Sequence, residues 1–246
     1  MCVDVKVFEA GNSPVIAGFS RQIEEKNIEI DEFTSNFNPR SISEISKKAL
    51  QNNNWGILLS DDIELLNKIV NKSKKISDYF DVENPFSTSE AYLLKEIIED
   101  RDPTEKDFLF INTGTIDPYL SIWGQKKTSY LKLKLEKPVI NKEKLFDFSK
   151  RRYDQSSSPK IIITAMRYFE AYFDRSGNYV AGKSTIIIRE NDSEFSLKYL
   201  LPLLNSKLIT FFIKGVYSAL GIDGGINFSK DLVSDLPIPL FSKSIF

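Results

Sequence analysis

Residues 158–190 read SPKIIITAMRYFEAYFDRSGNYVAGKSTIIIRE, and this stretch decides the fold of the second half of the chain. Its apolar and β-branched residues fall into three runs, at 160–164, 168–174 and 183–189, with a Ser-Gly-Asn turn at 176–178. Short runs of this composition between turn signals predict β-strands. The preceding residues 155–158, QSSS, lead into Pro159 and predict a loop. We therefore expect a β-rich unit, which we extend over residues 105–190.

The pattern becomes helical after the β-rich unit. Leucines at 197, 200, 201 and 204 recur at helical spacing and share one face. Ser206 is predicted to start a second helix, whose apolar residues are Leu208, Phe211, Phe212 and Val216. The glycine-rich residues 221–225 predict a loop. The sequence LPIP at 236–239 predicts an extended segment, because each proline disfavours helical backbone in the residue before it.

The first hundred residues show a weaker strand and helix pattern. Apolar alternation begins at 3–7 and predicts strands there, at 14–19 and at 28–30, and polar periodic segments predict helices at 43–51, 62–75 and 89–98. Further along, 108–111 predicts a strand, and YLKLKL at 130–135 alternates strictly, which predicts a half-exposed strand with a lysine face.

These elements together predict a mixed α/β fold of the α+β type. We expect a β-rich unit with packed helices over residues 105–246, and a smaller strand-helix segment before it over residues 1–104.

The composition excludes several classes of chemistry. The 246 residues contain no histidine, which removes Ser-His and Cys-His nucleophiles and the commonest transition-metal ligand. The single cysteine, Cys2, can form neither an internal disulfide nor a zinc site, and a reducing cytoplasm is the simplest setting. No apolar run reaches the roughly 18 residues of a membrane helix, so we expect no membrane partner. Asp4 and Glu9 interrupt any signal-peptide pattern at the N-terminus.

Charge is distributed unevenly along a nearly neutral chain of net charge −1. Residues 1–118 carry 13 basic and 22 acidic side chains, residues 119–189 carry 15 and 6, and residues 190–246 carry 5 and 6. A basic middle third predicts a local surface for a polyanion such as DNA. Ordinary fluctuation of charge along a chain is the alternative explanation.

Motifs for group transfer are incomplete. Asn84-Pro85-Phe86 and Asp117-Pro118-Tyr119 both lack the second proline of the Asn/Asp-Pro-Pro-aromatic loop of an amino-methyltransferase, and we interpret them as turns. The glycines of 221–225 follow a predicted helix, whereas a cofactor loop lies between a strand and a helix. Glu24-Glu25-Lys26 has no Pro-Asp before it, as a carboxylate-lysine nuclease would require. We expect no methyl transfer by this chain alone.

A family resemblance connects the motifs of the second half. They are, in order, PKIII (159–163), RY (167–168), AYFD (171–174), AGKSTIII (181–188), KYLLPLLNSKL (198–208) and LPIP (236–239). This order resembles the TaqI-like C-terminal specificity domain of adenine-N6 DNA methyltransferases and of fused type II restriction–modification enzymes. FINTGTID at 110–117 and WG at 123–124 are also similar to this family, and residues 3–19 are similar to the last strands of a methyltransferase catalytic domain.

The resemblance implies a DNA sequence-recognition module, either as a fragment or as a split subunit. Its partners would be double-stranded DNA and a methyltransferase catalytic domain or subunit. S-adenosylmethionine would bind only to that separate catalytic domain, so we expect no cofactor in this chain.

Candidate DNA-binding residues come from the basic stretch. They are Lys126, Lys127, Tyr130, Lys150, Arg151, Arg152, Tyr153, Arg167 and Lys183. Two guanidiniums beside an aromatic ring, at 151–153, can clamp a phosphate and stack, although a solvated helix end has the same composition. Arg167 and Lys183 are candidates for reading base edges, and a buried structural pair is the alternative for Arg167.

Two other functions remain open from the sequence. The chain could be a protein-interaction subunit of a restriction–modification or phage-defence complex that does not contact DNA, since its acidic first half suits a basic partner. A nuclease that uses carboxylates from 96–107 is a third reading.

Overall fold

The structure, a computed structural model, describes residues 2–3, 28–33, 39–45, 60, 62–167, 169–191, 195–217 and 226–239. The α-helices in these residues are α1 (Ile63–Asn71), α2 (Thr88–Leu94), α3 (Lys142–Phe148), α4 (Lys150–Ser157), α5 (Leu197–Leu204), α6 (Lys207–Tyr217) and α7 (Lys230–Ser234). Short 3-10 helices span Ile76–Asp78, Lys95–Ile97 and Thr113–Thr115.

The strands in the described residues are β1 (Cys2–Val3), β2 (Ile28–Phe33), β3 (Pro39–Ile45), β4 (Ser73–Lys75), β5 (Phe80–Glu83), β6 (Ile98–Asp100), β7 (Asp107–Ile111), β8 (Ile116–Asp117), β9 (Leu120–Ser121), β10 (Thr128–Tyr130), β11 (Leu133–Leu135), β12 (Pro138–Asn141), β13 (Lys160–Thr164), β14 (Met166–Arg167), β15 (Ala171–Asp174), β16 (Tyr179–Ala181), β17 (Thr185–Glu190), β18 (Ile226–Asn227) and β19 (Pro237–Pro239). Helices and strands both occur throughout, which confirms the predicted α/β class.

The chain divides into two compact units. The first comprises Met1–Ser73 with Thr210–Ile226, and the second comprises Lys74–Ile209 with Asn227–Phe246. In the first unit, β1 runs parallel to β2 and β2 runs antiparallel to β3. Close helix packing also occurs there, because a Cβ atom on Gly215 of α6 would lie 2.7 Å from the Leu66 side chain of α1.

The central sheet of the second unit is antiparallel and has the strand order β15-β13-β17-β5. Isoleucine faces isoleucine between β13 and β17, with Ile161 opposite Ile188, Ile162 opposite Ile187 and Ile163 opposite Ile186. All of these side chains are buried, and helix α5 packs against β13, β15 and β17. Burial on both faces explains why these strands are continuous apolar runs and not alternating ones.

A second four-stranded sheet has the order β16-β7-β12-β6. Strand β16 is parallel to β7, and the other pairs are antiparallel. Both sheets therefore include a strand from before residue 104, β5 in one and β6 in the other. The compact unit starts at Lys74, and a boundary at 104 would separate β6 from β12.

Several predicted elements differ in detail. The predicted helix 43–51 is wrong over 43–45, which belong to β3, while 46–51 lie outside the described residues. The helix predicted at 62–75 ends at Asn71, and the helix predicted at 89–98 ends at Leu94. The predicted loop at 155–158 is wrong for 155–157, which form the end of α4.

A buried lysine explains how α4 can end in polar residues. The Lys160 amine donates to the carbonyls of Ser156 and Ser158 and lies 2.6 Å from a carboxylate oxygen of Asp174. A cation at the carboxyl end of a helix binds its free carbonyl groups. Burial lowers the pKa of Lys160, and the Asp174 charge opposes that shift.

The C-terminal elements follow the prediction. The leucine-rich helix is α5, and the terminal Pro237–Pro239 is extended and pairs with β4. The predicted strands at 3–19 beyond Val3 and the predicted loop at 221–225 lie outside the described residues. Within the described ranges no single helix is long and apolar enough to cross a membrane; α5 and α6 meet that test only together, across a 62° bend.

Candidate nucleic-acid interface

A cleft of about 330 Å³ opens on the second unit. Its walls are the turn after β7, the β10–β11 hairpin, the first residue of β14 and the residue before β17. The residues that line it are Asn112, Thr113, Gly114, Ser129, Tyr130, Leu131, Lys132, Leu133, Lys134, Met166 and Ser184. Two lysines and several small polar groups therefore face one concavity that includes no carboxylate.

The side chain of Asn112 joins the walls of the cleft. Its amide nitrogen donates to the carbonyl of Ser129 at 2.9 Å, and its amide oxygen accepts from the Ser184 N–H at 3.3 Å. The Thr113 hydroxyl donates to the Ser184 carbonyl. A Cβ atom on Gly182 would lie 2.7 Å from the Asn112 amide oxygen, so a glycine is needed for this contact. These bonds fix the hairpin relative to the sheet.

The lysine wall is a tight hairpin and not the single strand predicted from 130–135. Tyr130 pairs with Leu133 across it, and Leu131 and Lys132 form the turn with φ of 43° and 72°. A two-residue hairpin loop with positive φ at both positions usually contains Gly or Asn, because larger side chains are strained there. The strictly alternating sequence therefore gave no indication of the turn at Leu131 and Lys132.

The cleft lies at one end of the central sheet. Ile163, near the end of β13, is opposite Ala171 at the start of β15 and Ile186 near the start of β17. Ala165 follows β13 and its N–H donates to Ser184 at 3.0 Å. We call this end, where Met166 and Ser184 line the cleft, the recognition end.

Edge strand β15 is secured at the recognition end by Asn205. The Asn205 amide oxygen accepts from the Ala171 N–H, and its nitrogen donates to the Ala171 carbonyl, both at 2.9 Å. The N–H of Tyr119 also donates to that carbonyl at 2.9 Å. Asn205 belongs to the LNSK sequence at 204–207, so this part of the motif anchors the sheet.

Much of the positive charge of residues 119–189 is neutralised in the fold. Two of the carboxylates, Glu136 and Asp174, lie within the basic stretch, and the others precede it in sequence. The pairs are Lys137 with Asp102, Lys144 with Glu99, Arg152 with Glu90, and Arg189 with Glu83. The excess of 15 basic over 6 acidic side chains thus overstates the cationic surface.

Arg152 has a structural role instead of the predicted phosphate contact. Its guanidinium donates to both carboxylate oxygens of Glu90, at 2.7 and 3.1 Å, and to the carbonyl of Asn84. Its side chain is only 8% exposed. Hydrogen bonding from Arg152 lowers the pKa of Glu90 to about 2. The donors that a phosphate would need are already used.

The two tyrosines among the predicted residues also serve the core. Tyr130 is buried, its hydroxyl donates to the Ala91 carbonyl at 3.0 Å, and burial raises its pKa. Tyr153 is partly buried, and its ring packs edge-on against Phe108 and Phe146. Burial and internal contacts therefore leave Arg152, Tyr130 and Tyr153 little free surface for a direct DNA contact.

The remaining predicted residues have exposed or undescribed side chains. Lys126 and Lys150 are exposed and form no ion pair with the described residues, whereas Lys127 pairs with Glu136 at 2.9 Å. Arg151 is 72% exposed and lies 3.6 Å from Glu83. Lys183 and Arg167, the two residues predicted to read base edges, are the last of the predicted residues.

Lys183 adjoins the cleft residue Ser184, and its amine donates to the Thr88 hydroxyl at 2.9 Å. Thr88 opens α2, the helix that carries Glu90 in its first turn. The backbone of Arg167 is in β14, but its side chain lies outside the described residues.

Sequence reasoning missed the residues that shape the cleft. Lys132 and Lys134 were interpreted as a solvated strand face, and Asn112 carried no signal beyond the resemblance of the surrounding FINTGTID. No group of three or more potential metal-ligating side chains occurs in the part of the chain that the structure describes.

A family model described as the TaqI-like C-terminal specificity domain matches residues 113–238. This match covers more than half of the chain, and the chain belongs to that family. Membership indicates DNA target recognition in restriction–modification systems. No curated protein sequence matches the chain.

Proposed function

We propose that this chain is the DNA sequence-recognition module of an adenine-N6 DNA methyltransferase or of a fused type II restriction–modification enzyme. A separate catalytic domain or subunit would carry out the methyl transfer. The observation that carries the proposal is the cleft at the recognition end, where Lys132 and Lys134 line a concavity without carboxylates inside the family-matched region. We further propose that the chain works in the cytoplasm, a setting that a single cysteine suits.

Different residues would serve affinity and specificity. Lys132 and Lys134 would pair with phosphates, which supplies affinity and register without sequence information. Lys150 and Arg151 would extend this contact along α4. Lys183 would reach a base edge, because it adjoins the cleft through Ser184.

We propose that S-adenosylmethionine binds to the separate catalytic domain and not to this chain. A cofactor loop needs glycine between a strand and an α-helix, so that the backbone can approach the ligand. The described glycines are Gly114, Gly124, Gly177, Gly182 and Gly215; the first four lie between strands and the last lies inside α6.

A second candidate function is protein interaction without DNA contact. Helix α2 leaves Tyr92 and Leu93 exposed by 60% and 61%, next to each other in sequence. Exposed apolar side chains of this size suit a protein partner, for which a catalytic subunit is the natural choice.

Salt-dependent binding of duplex DNA by the full chain tests the proposal. A fluorescent 30-base-pair duplex with a randomised core would be titrated at several salt concentrations, beginning at low salt. DNA recognition predicts binding whose logarithm falls linearly with the logarithm of salt concentration. If neither the chain nor its complex with a catalytic subunit binds DNA, the protein-interaction function replaces it.

A further inference from the structure

The hairpin of β8 and β9 presents an exposed aromatic tip. Asp117 pairs with Leu120 across it, so Pro118 and Tyr119 form the turn. Tyr119 is 53% exposed and Leu120 is 52% exposed. Two large, partly exposed side chains thus lie next to each other on the same short hairpin.

The backbone of this tip is unfavourable for a tyrosine. Tyr119 has a φ of 68° and follows a proline, which places it at the position of a turn where Gly or Asn is normally found. A bulky residue with positive φ is an outlier that folding alone does not favour. More than half of Tyr119 is exposed, so its burial offsets only part of the strain. The fold therefore gives no reason for a tyrosine at this position.

The tip is nevertheless firmly held. The N–H of Tyr119 donates to the Ala171 carbonyl, the same carbonyl that accepts from the Asn205 side chain. Ile116, at the base of the hairpin, is buried against Ile162 and Ile187 of the central sheet. The backbone that carries the exposed Tyr119 ring is therefore held in one position by the sheet.

The surroundings of the tip distinguish bases from phosphates as the partner. Ala171 places the hairpin at the recognition end, beside the sheet end that carries the cleft. Near the tip lie Asp117 and Glu170, with Lys126; burial raises the pKa of Glu170, and the charge of Asp117 raises it further. Carboxylates repel phosphates, whereas base faces and edges are compatible with both an aromatic ring and an acid.

We propose that Tyr119 presses its ring against the bases of the duplex bound at the recognition end, with Leu120 beside it. The ring stacks on a base or enters a flexible base step, as apolar side chains do in proteins that deform DNA. This inference rests on the proposed DNA-recognition function and identifies one residue that would give it a preference for deformable sequence.

Two substitutions in the full chain test the role of the ring. Tyr119→Gly removes it and relieves the strained backbone, so the melting temperature is expected to stay equal or rise. Affinity for the randomised 30-base-pair duplex at low salt is expected to fall by roughly tenfold, the effect of losing one base–aromatic contact. The slope of log affinity against log salt concentration stays unchanged, because no phosphate contact is lost.

Tyr119→Phe is the matched control, since it retains the ring and removes only the hydroxyl. Affinity within about twofold of the parent supports ring contact, whereas an equal loss in both variants would assign the contact to the hydroxyl and overturn the proposal. Unchanged affinity in Tyr119→Gly, while charge removal at Lys132 and Lys134 weakens binding, would also overturn it and leave the DNA-recognition function intact. Absence of DNA binding by the parent chain would refute both.

Discussion

Asn205 holds both main-chain groups of Ala171, accepting from its N–H and donating to its carbonyl at 2.9 Å each. Ala171 is fully buried at the edge of the central sheet, where neither group has solvent access. A side-chain amide thus continues the hydrogen bonding of the sheet beyond its last strand. This one residue connects the helical and β parts of the second unit.

Replacing Asn205 by Ala should therefore destabilise the second unit. The buried Ala171 N–H loses its partner, whereas the Ala171 carbonyl still accepts from the Tyr119 N–H. An unsatisfied buried group costs about 1–3 kcal/mol, so we expect a loss of about 1–3 kcal/mol in the free energy of unfolding. Urea denaturation measures it. Lys207→Ala, an exposed change two residues away, is the control and should stay within about 0.5 kcal/mol of the parent. Equal stability of both variants would contradict the anchoring role.

Arg151 and Arg152 should separate into a binding residue and a structural residue. Arg152→Ala leaves Glu90 without its partner and should lower the free energy of unfolding by about 2–3 kcal/mol, less than the ~3–5 of a fully buried pair. The reduction follows from the 30% exposure of the Glu90 side chain. Arg151→Ala should change stability by less than about 0.5 kcal/mol.

In DNA binding, by contrast, Arg151→Ala should show the larger effect and Arg152→Ala the smaller one. Arg151→Ala should reduce the salt slope by about 0.9, the contribution of one phosphate contact. Arg152→Ala should leave the slope unchanged at temperatures where it is folded. Fluorescence anisotropy over a series of salt concentrations measures both; a slope that falls in Arg152→Ala alone would reverse this assignment.

The Glu90–Arg152 pair should make part of the stability dependent on acid. The pKa of Glu90 falls from 4.5 to about 2 on folding. A carboxyl whose pKa is lower in the folded state stabilises the protein above its unfolded pKa, and that contribution is lost as pH falls through the folded value. Glu90→Gln should therefore be less stable than the parent at pH 7, and the difference should shrink between about pH 4.5 and 2. Thermal unfolding of both proteins across this range measures it; a constant difference would contradict the assignment.

Charge removal on the lysine hairpin should weaken DNA binding with little effect on folding. Lys132→Asn keeps a residue that accepts positive φ, and Lys134→Gln keeps an exposed polar side chain. The double variant should lower the salt slope by about two, at roughly 0.9 per phosphate contact. Lys144→Gln, which removes a cation already paired with Glu99, is the control and should leave the slope unchanged. If the control and the double variant behave alike, the cleft is not where phosphates bind.

The central sheet could be predicted from the sequence because its strands are short apolar runs bounded by turns. Residues 160–164 and 185–190 each contain three consecutive isoleucines, and this β-branched composition favours a strand over a helix. The same logic failed at 130–135, because neither Leu131 nor Lys132 is a residue that signals a turn. The polar end of α4 was missed for a related reason: its helix is stabilised by Lys160, a tertiary contact that no local pattern reveals.

The candidate site was harder to predict than the fold. Whether a cation binds DNA depends on whether a carboxylate already occupies it, and the partner of Arg152 is 62 residues away in sequence. Local charge counts therefore included Arg152, whose guanidinium is already paired with Glu90. Backbone strain at Tyr119 and at the lysine hairpin appears only in three dimensions, and it marks positions that composition treats as ordinary.

Strands β5 and β6 each form one edge of a four-stranded sheet of the second unit, although both strands precede residue 104. A gene crossover at residue 105 would leave β17 and β12 without these neighbours. It would also leave Lys137, Lys144, Arg152 and Arg189 facing the side chains of another protein. A segment exchanged between related proteins should therefore include β5 and β6 together with residues 105–246, and chimeras joined at residue 105 should aggregate more readily than chimeras that keep both strands.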